Sequence, residues 1–293
     1  MSGLKSLRSR IKSVKQTQKM TSAMKMVAAS KLKKAQDQLF SAKGYIEAYA
    51  SVLNALWLQR KEAEDMPLLI KGHEQDTVHL LIVATADRGL CGSFNTSLIR
   101  EARTQAYRIL HQNEDVRFLV LGKRGVDPLK REFPGCVIND QLDFSIFQGA
   151  VREQAVKLGS FLVGLFEKKE VTKISCIFSL YKSPLVQQTV RQRLLPLKPA
   201  ESLPDLRQGG LYEYEPSFDL LLENASHDLL KAKVFEVLLQ RQAGEQGSRM
   251  TAMDNATRNS NDIIKKLEVT YNRTRQAAIT RELIEIISGA QAV

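Results

Sequence analysis

The chain has 293 residues and a formal charge of +11, from 43 basic and 32 acidic side chains. No apolar run reaches the roughly 18 residues that a spanning helix needs, so none is expected to cross a membrane. The three cysteines, Cys91, Cys136 and Cys176, lack metal-site spacing and fit a reduced compartment and packing roles.

The charge is concentrated at one end. Residues 1–34 hold ten Lys or Arg and no Asp or Glu, which leaves 33 basic against 32 acidic residues elsewhere. The same segment carries a heptad pattern. Alternating steps of three and four from Leu4 reach Leu7, Ile11, Val14, Gln18, Thr21, Lys25, Ala28, Leu32, Ala35, Leu39, Ala42, Ile46, Tyr49, Leu53 and Leu56. Thirteen of these sixteen positions are apolar, the seam of a coiled coil. No proline precedes Pro67, and Gly44 is the one weak helix former inside the seam. The predicted helix is about 80 Å long, too long for a globular core. The polar positions Gln18, Thr21 and Lys25 are consecutive in the seam, and there the helix is expected to meet something other than its coiled-coil partner. An Arg-rich, acid-poor start also fits a transit peptide, but the seam runs on without a break past Asp37. The lack of a transit segment leans towards a bacterial source.

The period then changes. Val78–Thr85 is a nearly continuous apolar run, as expected of a buried parallel strand. A turn over Asp87–Gly92 leads to a predicted helix from Asn95, placed as its N-cap, to about Gln112. A strand over Phe118–Leu121, a short helix near Pro128–Glu132, and a helix from Ser145 to about Lys169 follow. Thr172–Tyr181 reads as a further strand, with Gln187–Leu195 as its antiparallel edge. Strands alternating with helices indicate an α/β domain. Pro184, Pro196, Pro199, Pro204 and Gly209-Gly210 mark a loop-rich exit. From about Ser217 to Ser288 the pattern is helical again, with Gly244 and Gly247 placed to bend or loosen it. Its stripe runs through Leu222, Leu229, Leu230, Val234 and Val237, then Met250, Met253, Ile263, Ile264, Leu267, Tyr271, Thr274, Ala278 and Leu283.

The expected domains are a helix over 1–60, a Rossmann-like α/β domain over 75–205 and a helix over 215–293. The two long helices form an antiparallel coiled coil. The second helix overhangs the first by about 20 Å, leaving an apolar tip that includes Ile284, Ile286, Ile287, Ala290, Ala292 and Val293.

The sharpest enzyme-like feature is Asp87-Arg88-Gly89-Leu90-Cys91-Gly92, a glycine-bearing strand–helix turn of the sort that cradles phosphate. The full dinucleotide fingerprint and the P-loop are both missing. Cys91 has no base beside it, and His73, His79, His111 and His227 lack ligand spacing. The residues favour a non-catalytic mechanical or interaction protein, with no catalytic residue, cofactor or metal. Basic helices can also track nucleic-acid phosphates, but residues 1–34 hold no aromatic residue to stack on bases. A redox or nucleotide enzyme on the α/β domain is the third reading.

Three separated segments carry a resemblance: KMTSAMKMVAASK at Lys19–Lys31, ADRGLCGSFN at Ala86–Asn95 and ITRELIEIISGAQA at Ile279–Ala292. All three, with Met250–Met253 and Tyr271–Ala278, resemble the gamma subunit of the F-type ATP synthase over essentially the whole length. Ser93, where a glycine is expected, and Gly247-Ser248 depart from the pattern. No insertion carries a close cysteine pair. The resemblance implies a rotor whose coiled coil enters the hexamer of alpha and beta subunits. Its α/β domain lies beside the epsilon subunit and the c-ring, with the complex on the cytoplasmic face of the bacterial inner membrane. It implies that Met24 and Lys25 face the acidic beta lever. Arg249, Gln276, Thr280 and Glu285 match the family's coupling positions in the interacting helices. Arg275 and Gln276 match positions that catch a beta or alpha loop near the top of the shaft.

Overall fold

The protein is described by a computed structural model covering residues 2–59, 66–74, 77–139, 149–198, 215 and 217–291. Two long helices flank the sheet-bearing part: α1 (Ser2–Gln59) and α6 (Phe218–Gln291). Between them lie α2 (Leu68–Lys71), β1 (Val78–Val83), α3 (Phe94–His111), β2 (Asp115–Val120), α4 (Lys123–Glu132), α5 (Val151–Glu167), β3 (Lys173–Tyr181) and β4 (Gln187–Leu195). The four strands form one sheet in the order β2-β1-β3-β4. β1 pairs in parallel with β2 and β3, and β4 is the antiparallel edge on β3.

The continuous apolar run of β1 has a direct cause. Leu80 and Ile82 face one core with α5, the end of α1 and the start of α6. Leu81 and Val83 face a second core with α3 and α4. Both faces of the strand are covered, so Leu80–Val83 are all apolar, and the buried His79 ring lies 3.0 Å from Ser175 Oγ.

Several boundaries differ from the sequence reading. The helix expected from Asn95 begins at Phe94, and Ser93 is its N-cap residue without a side-chain cap. The Asn95 side chain is engaged elsewhere: its Oδ1 accepts from the Ala86 amide at 2.8 Å. The helix near Pro128 starts earlier, at Lys123, because the preceding turn supplies acceptors. Asp87 Oδ1 accepts from Lys123 N at 3.2 Å, and Ala86 O accepts from Arg124 N, also at 3.2 Å. The helix expected from Ser145 begins at Val151; Gly149 at φ +91° and extended Ala150 break it on that side. Residues 140–148 and the exit through Pro199, Pro204 and Gly209-Gly210 lie outside the described residues. The one-turn α2 has too short a pattern to be read from sequence.

α6 runs as one helix through Gly244 and Gly247. These glycines give the helix room for close packing. A Cβ at Gly244 would sit 3.1 Å from Phe94 and 3.3 Å from Ser179. One at Gly247 would sit 3.0 Å from Gln187 and 3.2 Å from Tyr181. The residues lacking a side chain let α6 approach the sheet closely.

The chain divides into two compact units. One joins Met1–Ser30 to Arg249–Val293, and the other is Lys31–Ser248.

Candidate interface on the paired helices

In the smaller unit the two helices pair antiparallel. Lys15 meets Glu268 at 2.7 Å, Thr21 Oγ1 lies 2.8 Å from Thr257 Oγ1, and Lys25 meets Asp254 at 2.6 Å. Residue numbers rise along α1 as they fall along α6. The α1 seam positions from Leu4 to Ala28 are all buried or half-buried, and their neighbours are mostly exposed. On α6 the facing positions are Met253, Thr257, Ser260, Ile264, Leu267, Tyr271, Thr274 and Ala278. Ile263 and Leu283, read from sequence as part of the stripe, are exposed. Thr257 and Ser260 take the places that an apolar search passes over.

The polar gap in the α1 seam therefore does not face away from its partner helix. Thr21 and Lys25 both point at α6, and polar groups there answer them. Thr257 also donates back to the Met253 carbonyl at 2.8 Å. Asp254 receives Lys25 on one oxygen and Arg258, four residues on, on the other at 2.8 Å. The hydrogen bond from Lys25, aided by Arg258, holds the Asp254 carboxyl below the usual range. Polar layers of this kind fix register, because a slip would leave them unmatched. The signal in the sequence was the heptad phase of Thr21 and Lys25; their partners became visible only when the helices were paired.

Outside the seam, the unit presents three exposed features. Lys5, Arg8, Lys12 and Lys19 form a basic face on the first turns of α1. Met20, 65% exposed, half-buried Met24 and Val27, 56% exposed, fall at i, i+4 and i+7 and make an apolar stripe. Ile279, Leu283, Ile284, Ile286 and Ile287 are exposed towards the end of α6. The pairing register explains this last feature, since α1 runs out opposite about residue 278. Clustered apolar surface on a paired helix marks a protein contact site.

The residues implied by resemblance distribute over these features. Met24 lies in the apolar stripe and Lys25 in the polar seam. Arg249 is half-buried at the first position of α6 in this unit. Arg275, Gln276 and Thr280 are exposed, and the Thr280 hydroxyl donates to the Gln276 carbonyl at 3.0 Å. Glu285 lies on α6, and its side chain is outside the described residues. The helix pairing thus brings Lys25 to Asp254 and leaves Arg275, Gln276 and Thr280 facing outward.

In the larger unit, the start of the turn that resembles a phosphate cradle is engaged by the protein itself. Arg241 of α6 is buried, its Nε donating to Thr85 O at 2.7 Å and its Nη2 lying 3.2 Å from Asp87 Oδ2. Sequence reasoning missed Arg241, because nothing in its neighbourhood on α6 signals a partner that lies 154 residues away. Cys91 is buried and accepts from Asn95 Nδ2 at 3.4 Å. Cys176 is buried in the sheet, which pushes its thiol far above its ordinary value. Among the described residues no group of three His, Cys, Asp or Glu is placed to hold a metal. No described helix is long and apolar enough to cross a membrane.

Comparison with known proteins gives a consistent picture. A family model described as ATP synthase matches residues 3–293. The ATP synthase gamma chains of Brucella canis and Brucella ovis are each 42% identical over 295 residues, covering all of both chains. Among solved structures, a chain of the Euglena gracilis mitochondrial ATP synthase, in its OSCP/F1/c-ring assembly, superposes with a TM-score of 0.67 at 17% identity, over 99% of this chain and 94% of its own. One from the central stalk and c-ring of the Tetrahymena thermophila mitochondrial enzyme does so with a TM-score of 0.57 at 23% identity, over 81% of this chain and 99% of its own. These structural likenesses establish the fold.

Proposed function

Because the chain belongs to the ATP synthase gamma-chain family, we propose that it is the central rotor shaft of a proton-translocating F-type ATP synthase. It couples rotation of the membrane c-ring to ATP synthesis at the hexamer of alpha and beta subunits. The observation that carries this reading is the antiparallel helix pair of the smaller unit, keyed by polar layers and bearing a basic face, within a full-length family match. A shaft must transmit torque without slipping along its own seam. The Thr21–Thr257 and Lys25–Asp254 layers resist that slip, because sliding strands a hydroxyl or a charge against an apolar neighbour.

Coupling on this reading is allostery by shape. The shaft binds the successive beta conformations with different free energies, and only that difference shifts nucleotide affinity. The basic face of α1 complements an acidic lever on beta, steering and aligning assembly. Met24 and its stripe contact that lever. Arg249, Gln276, Thr280 and Glu285 belong to the coupling surface, and Arg275 with Gln276 engages a loop of beta or alpha. The epsilon subunit and the c-ring hold the α/β part. The chain is non-catalytic, takes no cofactor and binds no nucleic acid. It works as a peripheral subunit on the cytoplasmic face of a bacterial inner membrane.

Co-expression with the alpha and beta chains tests this reading. The three should co-purify as one complex with ATPase activity, and the isolated chain should bind no ATP by calorimetry at micromolar concentrations. A chain that stays apart from the hexamer, or that binds ATP stoichiometrically by itself, would overturn it.

A further inference from the structure

In open α/β sheets the carboxyl ends of the parallel strands are where ligands bind. Here that edge is occupied by the two long helices, through a set of polar bonds. At the end of β1, buried Arg241 donates from Nε to the Thr85 carbonyl at 2.7 Å and lies 3.2 Å from Asp87 Oδ2. At the end of β3, the Tyr181 amide donates to Gln240 Oε1 at 2.9 Å, and the Tyr181 hydroxyl accepts from Gln36 Nε2 at 2.7 Å. At the start of β4, Ser248 Oγ lies 2.6 Å from the Gln187 amide. Gln36 belongs to α1; Gln240, Arg241 and Ser248 belong to α6.

The place of these contacts along α6 gives them meaning. From Leu222 to Leu238 the helix is held by the apolar core. From Gln240 to Ser248, the last residue of α6 in the larger unit, the helix adds polar bonds to the sheet and close approach at Gly244 and Gly247. The apolar section resists separation of helix and sheet. The polar section adds direction, because a hydrogen bond weakens steeply as the helix turns about its axis. The socket is itself anchored. Asp87 accepts from the first amide of α4, and the Thr85 hydroxyl donates to Gly122 O at 2.9 Å.

We infer that this collar is a torsional key, in which Arg241 seated on Thr85 and Asp87 locks the rotation of α6 to the sheet and so passes torque from the α/β part into the paired helices. The inference rests on the rotor reading and goes beyond it, by assigning a mechanical task to the Asp87 turn and to residues far from the helix-pair interface. Arg241 suits the task. A buried guanidinium that loses its partners is strongly disfavoured, so the seated angle is a deep minimum. Its planar fork defines a direction that a lysine does not.

The test uses the assembled complex with the hexamer immobilised and a bead attached to the α/β part. Angular fluctuation of the bead at a paused catalytic dwell reports torsional stiffness. In Arg241→Met, which keeps the apolar stem, angular variance should rise roughly twofold, as expected when a few bonds of similar strength share the restraint and about half of it is lost. Proton pumping per ATP hydrolysed should fall under load, and unloaded hydrolysis should remain near normal. Asp87→Asn alters an exposed carboxylate, and so carries the test if Arg241→Met fails to assemble; its variance should rise less. Unchanged variance in the variants that assemble would overturn the key while leaving the rotor reading intact. A wild-type complex that does not rotate would overturn the rotor reading itself.

Discussion

Lys25 keeps a charge inside a two-helix seam because Asp254 stands opposite it at 2.6 Å and Arg258 braces the far oxygen. The depressed titration of Asp254 turns this contact into a pH dependence. A carboxyl whose folded value lies below its unfolded value of about 3.9 adds stability above that pH, and loses it as pH falls through the folded value. Asp254→Asn should therefore melt below wild type at neutral pH, and the gap should close in acid. Circular dichroism melts of the full chain at about pH 7 and about pH 2.5 check this. A gap of equal size at both would show that Asp254 acts by packing and not by charge. The phase of Lys25 in the heptads was readable from the chain, whereas Asp254 was not, since no local pattern distinguishes it from any other helical carboxylate.

At the scale of elements, the sheet is fastened to its turns by close approach at glycine. A Cβ at Gly122 would stand 2.2 Å from the Thr85 carbonyl oxygen, a backbone atom that cannot rotate away. Gly122→Ala should thus cost about 3 kcal/mol or more. The measurement is a denaturant midpoint, with the loss concentrated in amide protection of β1, β2 and α4. An alanine that leaves the midpoint within a few tenths of a kcal/mol would refute the close approach. β3 and β4 were legible as strands because alternation and turn residues are local. The early start of α4 and the diversion of Asn95 from capping were not, because the acceptor at Asp87 and the donor at Ala86 belong to another element's turn.

Across the whole molecule, ten basic residues in the first 34 and none acidic set an electrostatic face that survives folding, since Lys5, Arg8, Arg10, Lys12 and Lys19 are all exposed. Replacing Lys5, Arg8, Arg10 and Lys12 with glutamine should slow assembly with the hexamer. Assembly of the wild type should itself weaken as salt rises, because exposed charges are screened over about 8–10 Å. Torque in complexes that do assemble should stay near normal, as exposed pairs contribute only about 0–1 kcal/mol each. Single-molecule rotation checks this, and a large torque loss would mean that charge transmits the force. The chain alone determined the long helices, the heptad phase of α1, the basic face and the α/β alternation, because each is written in periodicities of a few residues. Only the tertiary structure decided that the polar gap of the seam is matched by Thr257 and Asp254, that the glycines of α6 serve close packing, and that Arg241 bonds the start of the phosphate-like turn. Those outcomes join residues about 60 to more than 200 positions apart, and contacts at that separation depend on how the elements dock.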